Sequence, residues 1–203
     1  RRFRLAPVAE PCCAIAGTQQ AGFLIRDNIR HRNDILHAYL HAIDNAKHSI
    51  LIANAYFLPG IRFGRALYAA AQRGVKITVL LQGKSDHQLL RYATQTLYAT
   101  ALQAGIRIFE YEKSFMHAKV AVIDGEWATV GSSNIDPFSL LMAKEANLVV
   151  RDTGFAGELE GSLRAAMAGG ARELVAEELS RQPLHSRFLR WLAYGLVRAM
   201  VGI

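Results

Sequence analysis

His117-Ala118-Lys119-Val120-Ala121-Val122-Ile123-Asp124-Gly125-Glu126-Trp127-Ala128-Thr129-Val130-Gly131-Ser132-Ser133-Asn134 decides what fold and chemistry to expect of this chain. Lys119 to Ile123 reads as a strand, Asp124-Gly125 as a turn signal, and Trp127 to Val130 as the hairpin partner. Side chains repeat with period two along a strand, so His117 and Lys119 fall on one face. Their tips can converge on one phosphate. Lys119 supplies a charge to balance developing negative oxygens. Neutral His117 can attack phosphorus, which splits one hard displacement into two easier ones through a phosphohistidine. Attack through one ring nitrogen requires an acceptor on the other. Asp124 stands seven residues on, a separation that suits capping the turn rather than touching His117. Glu145, from a neighbouring strand, is the expected orienting carboxylate. Ser132 and Asn134 are expected to bond phosphate oxygens or to hold Lys119.

Outward from this hairpin, helical and strand patterns alternate. Phe23 to Ile25 is a short strand, Asp34 to Lys47 a helix with Asn33 as N-cap, and Ser49 to Phe57 a buried strand. Helix follows from Arg62 to Arg73, strand from Val75 to Leu81, helix from His87 to Gln103, and strand from Ile106 to Tyr111. Past the hairpin, Ala146 to Val150 reads as a strand. Gly154 to Met167 and Arg172 to Leu179 read as helices broken at Gly169-Gly170. The expected fold is α/β: a mixed, mostly parallel central sheet with helices on both faces and a C-terminal amphipathic helix. Residues 1–21 read as a linker or the edge of a preceding lobe, 22–168 as the catalytic lobe, and 169–203 as a C-terminal helical region. Asn54 and Tyr56 at a strand end, and Lys84 on a loop after a strand, are candidate substrate contacts.

The bulk numbers fit this picture. The chain has 203 residues, 51% hydrophobic and 20% charged, enough for one globular domain with a full core. Its net charge of +7 favours polyanionic partners: nucleic acid, anionic lipid or phosphate-bearing substrates. Adjacent Cys12 and Cys13 have neither disulfide-friendly nor zinc-binding spacing. Neither a cofactor nor a metal is expected, because a phosphohistidine route works without one. The start Arg1-Arg2-Phe3-Arg4 lacks Met, which reads as a trimmed or partial chain. No apolar run is long enough for a transmembrane helix. The tail from Phe188 to Ile203 mixes apolar residues, Trp191 and spaced arginines. It suits either an interfacial helix on an anionic bilayer or a helix packed on the domain or a second protomer.

The His117, Lys119, Asp124 and Gly131-Ser132-Ser133-Asn134 pattern resembles the HKD signature of the phospholipase D superfamily. Further segments resemble its bacterial cardiolipin synthases, the B-type branch above all: Arg26-Asp27-Asn28, Ala53 to Gly60, Leu81 to Asp86, Val130 to Pro137 and Glu145-Ala146-Asn147. The likeness spans roughly residues 22 to 152. It implies a phosphatidyltransferase that moves a phosphatidyl group through phosphohistidine to a glycerol-type hydroxyl of phosphatidylglycerol. His117, Lys119, Ser132, Asn134 and Glu145 would build the site, with Asp124 mainly structural. Such enzymes carry two HKD motifs, one His attacking and the other protonating the leaving group, whereas this chain has one and resembles the C-terminal lobe. The implied partners are an anionic phospholipid substrate, a membrane surface, and a second HKD lobe from a longer chain or a homodimer. Nucleic acid is not the expected partner. The implied location is the bacterial inner membrane, peripheral on its cytoplasmic side. The alternatives are a homodimeric one-motif phosphodiesterase (phospholipase D or nuclease) and a lipid-binding lobe inactive without its other half.

Overall fold

The computed structural model describes residues 17–84, 88–180 and 183–201. Cys12, Cys13, His87 and most of the expected linker lie outside them. Eight strands form one open sheet in the order β1-β7-β6-β5-β2-β3-β4-β8. They are β1 (Gln20–Arg26), β2 (Ser49–Asn54), β3 (Lys76–Gln82), β4 (Arg107–Tyr111), β5 (Lys119–Ile123), β6 (Trp127–Gly131), β7 (Glu145–Arg151) and β8 (Ala171–Glu173). The helices are α1 (Asp34–Asn45), α2 (Ile61–Gln72), α3 (Gln88–Gln103), α4 (Pro137–Leu141), α5 (Thr153–Gly170), α6 (Ala176–Ser180) and α7 (Leu184–Val201).

Alternation along β2 sorts the two faces. Ile50 and Ile52 join Ile35 and Tyr39 of α1, Phe63 of α2 and Tyr98 of α3 in the main core. Leu51 and Ala53 turn the other way, onto Leu163 of α5. Helices therefore cover both faces, as the sequence implies. The expected parallel character needs correcting. Only β2–β3 and β3–β4 pair in parallel among the described strands; β1–β7, β7–β6, β6–β5, β5–β2 and β4–β8 are antiparallel. Helical crossovers connect β2, β3 and β4, and a crossover of that length is what parallel pairing requires. The Asp124-Gly125 turn is too short for one, so β5 and β6 fold back as a hairpin.

A second correction concerns Arg172 to Leu179. Ala171–Glu173 is a strand on the edge of β4, and helix starts only at Ala176. Backbone pairing continues on both sides of it, Glu112 N–H donating to Gly170 O at 2.8 Å and Leu174 N–H to Ile108 O at 2.9 Å, with exposed ion pairs alongside: Arg107 Nε donates to Glu173 Oε1 at 2.7 Å and Arg172 Nε to Glu112 Oε1 at 3.2 Å. Helix α7 lies on α3, burying Ala193 and Val197 while Phe188, Trp191, Leu192, Leu196 and Met200 stay exposed.

Candidate active site

Five adjacent strands meet at the same end of the sheet, four of them carrying a polar side chain there and β6 the glycine before Ser132. Arg26 ends β1, Glu145 starts β7, Gly131 ends β6, Lys119 starts β5 and Asn54 ends β2. Register fixes their pairing, with Arg26 opposite Glu145, Gly131 opposite Asn147, and Asn54 opposite Lys119. Lys119 continues the row of Ala121 and Ile123, and Asn54 that of Ile50 and Ile52, so both emerge on the α1–α3 face.

Lys119 Nζ lies 3.0 Å from His117 Nδ1 and 3.1 Å from Nε2, and donates to His117 O at 3.1 Å. Near-equal distances to both ring nitrogens place the ammonium over the ring rather than along either in-plane lone pair. Tyr56 meets the same imidazole edge-on, with centroids 6.3 Å apart. Burial pushes the Lys119 amine below its ordinary value, opposed by the negative charges of Glu145 and Asp136. His117 and Ser132 are exposed, Glu145 is half-buried, and Lys119, Asn54 and Asn134 are buried. The site is thus an open dish with a charged floor.

Ser132 anchors its rim. Its hydroxyl donates to Glu145 Oε2 and accepts from Ala146 N–H at 3.0 Å. The expected bond from Glu145 to the His117 ring is absent among the described residues. Glu145 opens β7, and β6 separates that strand from β5, a gap of about 10 Å across two strand spacings. Nor do Ser132 and Asn134 hold Lys119, whose partners are on His117. Asn54 Oδ1 accepts from Ile135 N–H at 3.1 Å, which ties β2 to the loop carrying Asn134. Asn54 Nδ2 and Asn134 Oδ1 are buried with no hydrogen-bond partner among the described residues. Lys84 is exposed on the loop after β3, and its carbonyl accepts from Gln82 Nε2.

Asp124 does not belong to this cluster. It follows the far end of β5, about 16 Å from Lys119 at ~3.3 Å per residue. Its carboxylate accepts the Lys47, His48 and Ser49 N–H groups, each at 2.8 Å, from left-handed backbone at φ 54°. Burial pushes this carboxyl up, but the three N–H donors prevail and hold it below its ordinary value. Capping through the side chain is what the sequence suggests, though the capped segment is the start of β2 rather than the hairpin turn alone.

Three residues gain roles that sequence reasoning did not give them. Asp136 caps α4, accepting from Phe138 N–H at 2.8 Å and Ser139 N–H at 3.0 Å, with Pro137 as the first helical residue. Burial pushes its carboxyl up, against those donors. The Asp136-Pro137 dipeptide was the available signal. Arg26, 2% exposed, donates to Asn28 Oδ1 at 2.7 Å and to Ala143 O, closing the wall behind Glu145. Asn147 donates to Thr129 Oγ1 at 3.1 Å and packs over Gly131. No cluster of three or more His, Cys, Asp or Glu side chains able to hold a metal ion occurs among the described residues.

A sequence-family comparison agrees with this geometry: the family described as "Cardiolipin synthase, PLD-like domain" matches residues 39–167. The chain belongs to that family. Among curated relatives, the cardiolipin synthase B proteins of Escherichia coli K12 and Shigella flexneri are each 38% identical over 92% of this chain. The chain spans 46% of either relative, about half its length. Among solved structures, phosphatidylserine synthase of Haemophilus influenzae matches 91% of this chain and 47% of its own, with a TM-score of 0.71 and 12% identity. Nuc of Salmonella typhimurium, a phospholipase D family member, matches 77% of this chain and 99% of its own, with a TM-score of 0.65 and 20% identity. At those identities the structural likeness speaks to the fold of this cardiolipin synthase-family lobe.

Proposed function

We propose that this chain is one catalytic lobe of a phosphatidyltransferase that makes cardiolipin from phosphatidylglycerol. The observation that carries the reading is the gathering of His117, Lys119, Ser132, Asn134 and Glu145 at one sheet end, in a chain so similar to half of cardiolipin synthase B. One ring nitrogen of His117 attacks the phosphorus, and the bond from phosphorus to the leaving glycerol oxygen breaks. That oxygen takes a proton from a histidine of the facing lobe. A glycerol hydroxyl of the second phosphatidylglycerol then attacks the phosphohistidine, giving its proton back to the same histidine as the nitrogen–phosphorus bond breaks. Lys119 balances the charge on the phosphoryl oxygens in both steps. Ser132 fixes the Glu145 carboxylate, which acts on Lys119 through charge. Asp124 holds the strand and takes no part in the chemistry.

The open site favours a second lobe, because exposed His117 and Ser132 need a cover to exclude water. In this reading the lobe comes from the rest of a longer chain. Helix α7 supports a peripheral position on an anionic bilayer. Its exposed Phe188, Trp191, Leu192 and Leu196 would enter the interface with Arg198 nearby, while Arg190 faces α3 near Tyr98 and Glu110. The cytoplasmic face of a bacterial inner membrane is the expected place. No described helix is long and apolar enough to cross a membrane.

Thin-layer analysis of lipid products from the two-lobe protein with phosphatidylglycerol tests the function. Cardiolipin should form, and His117→Ala should abolish it without loss of fold. Hydrolysis without transfer by a dimer of this lobe alone would favour the second reading, a one-motif phosphodiesterase. Nuc, whose whole length one such lobe covers, supports that reading. Flotation with anionic vesicles, compared between wild type and Trp191→Ser, tests the membrane role of α7.

A further inference from the structure

We infer that an apolar cavity between α2 and α3 receives one acyl chain of the phosphatidyl donor, entering past Tyr56. The cavity has a volume of about 230 Å³ and is walled by Val79, Leu81 and Ile108 of the sheet and by Leu67, Leu97 and Ala101 of the helices. Such a volume lies just under the ~300–1,000 Å³ of small-molecule pockets, a size for part of one chain rather than a whole lipid. A second hollow of about 20 Å³, lined in part by Gln82 and Arg91, lies on the side toward the catalytic end. The two share Phe57, Leu81, Thr94 and Tyr98, and the second is also lined by Tyr56, whose ring meets His117 edge-on. A diester phosphorus at His117 would therefore place its glycerol side beside this hollow, one shared wall away from the apolar cavity.

Two further observations suit a hydrocarbon occupant. The polar groups in the shared wall have partners: Thr94 Oγ1 donates to Leu90 O at 2.9 Å, and the Tyr98 hydroxyl donates to Glu110 Oε1 at 3.1 Å. Neither calls for water, so the shared wall places no polar demand on the cavity, whereas the hollow beyond it is polar at Gln82 and Arg91. Gly64 lines the same cavity from within α2. Glycine weakens a helix interior by about 1 kcal/mol relative to alanine. A Cβ at Gly64 would meet nothing within 4 Å, so close packing does not demand the glycine. Its effect is to leave the space open.

This inference rests on the phosphatidyltransferase reading, and its test separates the two. The two-lobe protein, wild type and Gly64→Leu, is assayed with dioleoyl- and dihexanoyl-phosphatidylglycerol in mixed micelles. The leucine should fill the cavity without harming the helix. The expected result is a KM raised about tenfold for the dioleoyl substrate and unchanged for the dihexanoyl one, matching the loss of two or so buried methylenes. Equal effects on both substrates, or none on either, would overturn the cavity assignment. Independently of turnover, phosphatidylglycerol carrying a diazirine near one chain end is photolysed on wild type and on His117→Ala. Label in the α2 and α3 peptides supports the inference, and label confined to α7 or other surfaces defeats it. Absence of cardiolipin from both substrates, with α2 and α3 still labelled, would remove the transferase reading and leave the chain site standing.

Discussion

Asp124 and Ser49 hold each other twice: Ser49 N–H donates to Asp124 Oδ1 at 2.8 Å, and Asp124 N–H donates to Ser49 O at 2.9 Å. Together with Lys47 and His48 N–H, this pins the turn after β5 to the start of β2. Asp124→Ala removes the acceptor for three backbone donors and leaves a non-glycine residue at φ 54°. We expect it to lower unfolding stability by about 2–4 kcal/mol in urea titration, with kcat of the folded enzyme within about twofold of wild type. The folded carboxyl sits below its unfolded value, so its stabilisation is complete above about pH 4 and disappears as pH falls through the folded value. The gap in urea midpoint between wild type and Asp124→Asn should therefore close on acidification.

Lys119 behaves in the opposite sense. Burial lowers its amine, so folding releases protons, and its unfavourable contribution fades as pH rises from the folded value toward about 10.4. Lys119→Met should abolish phosphoryl chemistry by about 10²-fold or more while leaving stability at pH 7 equal or higher. Single-turnover rates and thermal denaturation measured on the same preparations check both halves.

Glu145 charge is one of the influences that keep the Lys119 amine up. Glu145→Gln preserves an acceptor for Ser132 but removes that charge. The alkaline limb of kcat/KM should then move to lower pH, and in Lys119→Arg it should vanish from the measured range. A pH–rate profile from 6 to 10 distinguishes this from a simple loss of rim structure, which would scale the curve without moving it.

Gly131 has no room for a side chain. A Cβ there would fall inside contact distance of Asn147 Oδ1 and 2.5 Å from Ala146 O. Gly131→Ala should cost about 1–3 kcal/mol by urea unfolding. It should also reduce turnover more than Asp124→Ala does, because the displaced backbone carries Ser132.

The hairpin was legible because its residues speak locally: β-branched alternation for β5, Asp124-Gly125 for the turn, and Gly131-Ser132-Ser133-Asn134 for the rim. The sheet's hand was not. Whether β1 returns to pair with β7, placing Arg26 opposite Glu145, depends on a contact 119 residues apart by position and no local pattern encodes it. The three-residue strand β8 is not legible locally, because Arg172 and Glu173 favour helices intrinsically and only pairing with the distant strand β4 overrides that preference. Strand periodicity alone puts His117 and Lys119 together, and the 3.0 Å from Lys119 Nζ to His117 Nδ1 agrees. Glu145 suits His117 by elimination of Asp124 alone; strand order is not written locally, so the β6 that stands between β7 and β5 is invisible in the sequence.

Strand β5 is also a ruler. Its five residues hold the tether at Asp124 and the cation at Lys119 a set distance and a set half-turn apart. One residue added to the strand would swing Lys119, and His117 with it, toward α5 and away from the face shared with Asn54, even with every motif letter retained. Two would restore the face but lift the cation out of the charged floor by about 7 Å. The spacing written in the motif is therefore a mechanical tolerance, set by a pleat rather than by the reaction.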